Sequence, residues 1–213
     1  MRNLLYKEFT LSIHPFFYWM LPFLLSLLFL IPNWIYSLVF MYFFWISVPQ
    51  IFQGYTAQQD SAFLSTLPVS KKSIVYSKIL AVIILELIHL LFGAVTAAVH
   101  VGLYGSANFA FDVNPALFGT VFIVFGSFNL VFLPGYFRTA FSYGIPLILG
   151  VIVTLIVASA FELGTIFIPW MNSFMERSSA LIQIAIFLGG AAVFAGMSFL
   201  SARLSYMNYR RNN

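Results

Sequence analysis

Within the apolar stretch "LELIHLLFG", Glu86 and His89 are the only closely spaced ionisable pair inside a candidate membrane segment. Their i, i+3 spacing puts both on one face of a helix, and Gly93 extends that face by a turn. They are the one pair that enzymatic chemistry could use, but two ligands are too few for a catalytic metal. Burying either group in lipid costs several kcal/mol, so both are expected to face the bundle interior or each other. Two readings follow: a polar patch lining a pathway or subunit interface, or a mutually satisfied structural pair.

Charge is also concentrated in "LSTLPVSKKSIVYSKIL", Leu64 to Leu80, which holds Lys71, Lys72 and Lys78, three of the ten basic residues. Other catalytic patterns are missing. The chain contains no G-x-S-x-G, no H-E-x-x-H and no aspartate-rich pair for Mg²⁺–diphosphate chemistry. It has no cysteine, which excludes disulfides, thiolate metal sites and a Cys nucleophile. No metal site is expected. Without a G-x-x-x-x-G-K-[ST], any ATP hydrolysis belongs to another chain.

The elements that position these residues must sit in lipid. The 213 residues are 62% hydrophobic and 19% aromatic but only 8% charged, against about 25% charged in a soluble domain. So much Phe, Leu and Ile cannot be hidden beneath a polar surface at this length. The net charge of +4 is dispersed at segment ends, which suits orientation in a bilayer and not a nucleic-acid surface.

A spanning helix needs about 20 mostly apolar residues. Continuous apolar runs, not alternating ones, predict an all-α polytopic membrane protein with six transmembrane helices. These are Phe16 to Ile31, Trp34 to Gln53, Ile79 to Leu103, Ala116 to Pro134, Ser142 to Phe161 (or on to Ile168) and Leu181 to Ser201. No small-x-small cleavage site follows the first, so it is expected to be retained. Of the Lys and Arg residues, all but Arg177 fall on one side of that arrangement. The positive-inside rule then puts both termini in the cytoplasm.

The extramembrane parts are small, and residues 1–213 form a single transmembrane domain. Residues 1–15 make an interfacial amphipathic helix with Leu4, Leu5, Phe9 and Ile13 on one side and Lys7 and Glu8 elsewhere. Residues 54–78 form the longest loop. There Asp60 is a candidate cap, and Phe63, Leu64 and Leu67 form an apolar stripe on a short helix. Pro68 stops that helix and Ser70 caps the next, which carries Val75, Ile79 and Val82 at i, i+4, i+7 straight into the third span. Lys71 and Lys72 in its first turn oppose the helix dipole by about 0.3–1 kcal/mol, so helix stability does not explain them. They either hold the cytoplasmic end against anionic headgroups or flank a docking surface.

The stretch "SAFLSTLPVSKKSIVYSKILA" resembles the first cytoplasmic loop of ABC-2 type transporter permeases. In that family a leucine-rich short helix ends in Leu-Pro-(Val/Ile)-Ser, then two polar or basic residues and a Lys opening the third span. Leu67, Pro68, Val69, Ser70, Lys71, Lys72 and Lys78 stand at the matching positions. "FLPGYFRTAFSYG", around Arg138, is similar to the loop between spans four and five in some bacterial members. The approach "GYTAQQDSAF" departs from the Glu/Arg-rich, Gly-Thr-containing approach of many members.

The resemblance implies a non-catalytic membrane subunit of a bacterial ABC exporter in the cell membrane. It would bind no cofactor directly and use ATP through a separate ATP-binding subunit. That subunit would dock on a coupling loop at Phe63, Leu64 and Leu67 to Lys72, with Lys78. A second permease subunit, identical or paralogous, and the lipid bilayer complete its partners, and its cargo would be amphipathic, peptide or lipid-like. Two alternatives are a six-span substrate-binding subunit of an uptake system and a membrane enzyme using Glu86 and His89.

Overall fold

The computed structural model of the protein describes residues 2–212, and among them every regular element is helical. Four helices are long and apolar enough to cross a membrane: α6 (Lys71–Tyr104), α7 (Pro115–Arg138), α8 (Gly144–Phe167) and α10 (Ala180–Asn212). A fifth is counted if a bent pair, Arg2–Ser12 and Pro15–Leu30, is one span. α1 (Arg2–Lys7) continues into a π-helical turn to Ser12, and the next segment leaves at 103° to it.

The two segments nearest the N-terminus are each divided into shorter helical pieces. Pro15–Leu30 is a 3₁₀ turn, α2 (Met20–Ser26) and another 3₁₀ turn, with Pro22 inside α2. The expected second span is helical without a gap from Tyr36 to Ala57, in three pieces: α3 (Tyr36–Tyr42), a π-helical segment Phe43–Ser47, and α4 (Val48–Ala57). Pro49 in the first turn of α4 cannot donate to the preceding turn, and its ring crowds the carbonyl four residues back. Widening that turn to π geometry relieves both.

α5 (Asp60–Ser65) follows a left-handed Gln59, φ 48°. α6 starts at Lys71 because the Ser70 hydroxyl accepts from the amide of Ser73 at 3.2 Å. Ser70→Ala is expected to lower stability by about 1 kcal/mol, a small drop in thermal midpoint in detergent. At the other end, α9 (Pro169–Met175) links α8 to α10.

α7 is the centre of the bundle: 78% of its most apolar window is buried, against 11% for α10. Phenylalanines from α3, the π-helical segment and α7 interlock around it, with Phe44 and Phe128 stacked at 4.0 Å between ring centroids. α7 packs most extensively against α10, where two glycines let the backbones touch. A Cβ at Gly119 would lie 2.7 Å from the carbonyl oxygen of Ile186, and one at Gly190 would overlap the Gly119 carbonyl.

Candidate functional site

At the end of the molecule where Lys7, α5 and the start of α6 meet, the buried Glu8, Asp60 and Lys78 and the half-buried Lys7 form one charge cluster. The Lys7 ammonium lies 3.1 Å from Glu8 Oε1 and donates to Asp60 Oδ1. Lys78 Nζ lies 2.5 Å from Asp60 Oδ2 and 3.6 Å from Glu8 Oε1. The same ammonium sits 3.4 Å above the centroid of the Tyr55 ring. Two positive and two negative charges leave the cluster neutral, which makes burying it affordable. Burial pushes the Asp60 carboxyl up, but the ammonium groups of Lys78 and Lys7 outweigh it and hold Asp60 below its ordinary range.

The cluster ties three segments together: the N-terminal helix, α5 and the first turns of α6. Helical register explains how. Glu8 shares the buried face of the N-terminal helix with Leu4 and Ser12, one turn to either side. Lys78 lies one turn beyond Ile74 on the buried face of α6. Asp60, expected as a cap, makes no capping bond; its carboxylate bridges the two lysines. The placement of Glu8 away from the packed side is likewise corrected, since it is fully buried.

The remaining loop residues divide cleanly. Leu64 is buried, and Leu67 and Val69 pack partly on the core. Phe63 is 52% exposed, and Pro68, Ser70, Lys71 and Lys72 are exposed too. On the N-terminal helix Leu4 is buried and Leu5, Lys7 and Phe9 are half-buried. Between these two segments runs a groove of about 590 Å³, lined by Arg2, Leu4 and Leu11 on one side and Phe63, Leu67 and Pro68 on the other.

A second cavity, about 480 Å³, lies behind the charge cluster, between α5 and the 139–143 turn. Tyr55, Tyr136, Tyr143 and Tyr209 line it together with Asp60 and Lys78. In that turn Ala140 and Phe141 both have left-handed backbones, φ 52° and 72°, a strain of about 1–3 kcal/mol each. The Phe141 ring holds it in place, with centroids 5.5 Å from Tyr136 and 5.6 Å from Tyr209.

Glu86 and His89 are both buried and face inward, but they do not satisfy each other. Glu86 Oε2 accepts from Asn129 Nδ2 of α7 at 2.8 Å. His89 Nε2 lies 3.0 Å from the carbonyl oxygen of Val39 on α3. Ser198 of α10 lies 3.5 Å from the same Asn129 amide, so a polar line crosses three helices at mid-bundle. Nothing in "LELIHLLFG" names Asn129; the signal was a lone Asn in the apolar run of α7. His100, towards the C-terminal end of α6, is buried against the Tyr36 hydroxyl at 3.3 Å. Among the described residues no three His, Asp or Glu side chains gather to hold a metal.

An all-helical bundle with several membrane-crossing helices and a charge-pinned loop at one end defines a multi-pass membrane protein. The family model described as ABC-2 family transporter protein matches residues 3–210, and the chain belongs to that family. Neither the curated proteins nor the solved structures give a match.

Proposed function

We propose that this chain is the permease subunit of an ATP-driven exporter in a bacterial cell membrane, with six spans and both termini in the cytoplasm. Two such subunits, identical or paralogous, form the pathway and pair with ATP-binding subunits that bring the ATP. The observation that carries this is the groove between the N-terminal helix and the Phe63–Ser73 stretch, set against a buried charge cluster. Its lining includes exposed Phe63 and Pro68 together with Arg2 and Lys7, apolar and basic groups that suit a protein partner.

Six spans are supported by the unbroken helical run Tyr36–Ala57, which rises about 33 Å against about 30 Å of hydrocarbon. The orientation is supported by the gathering of Lys7, Lys78 and the 139–143 turn at one end, while Arg177 follows α9 at the other. In mechanism, closure of the ATPase presses on the Phe63–Lys78 loop. Lys7, Asp60 and Lys78 then carry the displacement into the N-terminal helix and α6 together, shifting the dimer between inward and outward states. The Phe-rich interior and scarcity of charge favour an amphipathic, peptide or lipid-like cargo. An enzyme built on Glu86 and His89 is disfavoured because the two side chains turn to separate helices.

Co-purification from native membranes in mild detergent tests this. The wild type is expected to bring down an ATP-binding subunit, and a variant with Leu67→Asp and Pro68→Ala to lose it while keeping its elution profile. An ATPase absent from the wild type even after cross-linking through Lys71 and Lys72 would sink the proposal.

A further inference from the structure

We infer that the slot between α6 and α10, at the end bearing Lys72, binds one acyl chain of an anionic phospholipid whose headgroup meets Lys72. The slot holds about 320 Å³ and is walled by Tyr76, Ile79 and Ile83 of α6 and by Ala195, Phe199 and Ala202 of α10. It lies where α6 and α10 pass each other, and the two alanines are too small to close the seam between them. A cavity of this size admits a line of methylenes but not a helix about 10 Å across.

Depth places the two ends of the slot in different surroundings. The 34 residues of α6 extend about 51 Å, whereas the hydrocarbon is about 30 Å thick. Roughly two turns therefore project at each end. Lys72 and Tyr76 stand at headgroup level, and Ile79 and Ile83 lie among the acyl chains. Lys72 Nζ is 5.5 Å from the centroid of the Tyr76 ring, which itself lines the slot, so the cation is held at its mouth. Arg203 follows Ala202, the last slot residue of α10, and is exposed.

An apolar slot alone selects nothing in a bilayer, because lipid tails are as apolar as its walls. Selection comes from the charge at the mouth, and that charge is positive. Juxtamembrane basic residues attract anionic lipid by roughly five-fold each. The inference needs only that the chain lies in a membrane, so it stands or falls separately from ATPase docking.

The test is native mass spectrometry of the full chain, delipidated in detergent and then offered equal phosphatidylglycerol and phosphatidylcholine. The wild type is expected to retain phosphatidylglycerol several-fold over phosphatidylcholine. Lys72→Gln should cut that preference roughly five-fold. Ala195→Trp, at an exposed position that leaves the α7 interface alone, should fill the slot and lose the bound lipid. Equal retention of the two lipids by the wild type overturns the inference, as does a preference that survives both substitutions. Displacement of phosphatidylglycerol by inorganic phosphate alone also overturns it, since the chain would then contribute nothing. So does a dimer that Ala195→Trp dissociates, because a second copy would then occupy the seam.

Discussion

Asp60→Ala is expected to remove about 3–5 kcal/mol of folding stability, the cost of stranding a buried charge. Its carboxylate serves both Lys7 and Lys78, and Glu8 alone cannot neutralise two ammonium groups in a site that water barely reaches. The thermal midpoint in detergent should fall sharply. The paired change Asp60→Leu with Lys78→Met leaves only the adjacent Lys7–Glu8 pair and should recover most of the loss, since apolar replacement of a buried pair is often neutral or better. If the single variant is as stable as the wild type, the cluster does not hold the three segments together. If the double variant folds but no longer responds to an ATPase partner, the charges transmit position as well as stability.

Acidification should act in the same direction. Asp60 is held below its ordinary range in the folded protein, so its contribution is complete above the unfolded value, about pH 3.9. It is lost as pH falls through the lowered folded value. The wild-type thermal midpoint should therefore drop on moving well below pH 4, and the Asp60→Leu, Lys78→Met pair should drop less.

Gly190→Ala is expected to destabilise the bundle, although Ala is the better helix former by about 1 kcal/mol. The new methyl would meet the Gly119 backbone, which has no rotamer by which to move aside, so α7 and α10 must separate along their length. Over-packing of this kind costs about 1–3 kcal/mol, and more where backbone is struck. Gly189, its neighbour, has open space where its Cβ would go. Gly189→Ala should be neutral or slightly stabilising in the same assay. Two adjacent glycines giving opposite signs would separate contact from helix propensity, and equal signs would refute the close approach.

Much of this architecture was legible in the sequence because lipid imposes simple demands. Apolar run length located α6, α7, α8 and α10, and Pro68 with Ser70 marked where α6 begins. What escaped were features that depend on proximity. The π-helical widening ahead of Pro49 turns on how the local backbone tolerates a missing amide. Glu8, Asp60 and Lys78 lie far apart in the chain, and each alone reads as an ordinary loop or helix-end charge. Scarcity was the available clue: of six acidic residues in the whole chain, four are buried on helices and needed partners. Asn129, the companion of Glu86, could have been suspected for the same reason.

The charge cluster also constrains the order of biogenesis. A chain is made from its N-terminus, and Glu8 reaches its final surroundings only when Asp60 and Lys78 are in place. Until the first turns of α6 leave the ribosome, the Arg2–Ser12 helix has only its own Lys7 beside Glu8 and lacks Asp60 and Lys78, which complete the buried cluster. It must wait in water or at the headgroups while the helical segments from Pro15 to Ala57 are made. The first element synthesised is thus among the last to dock.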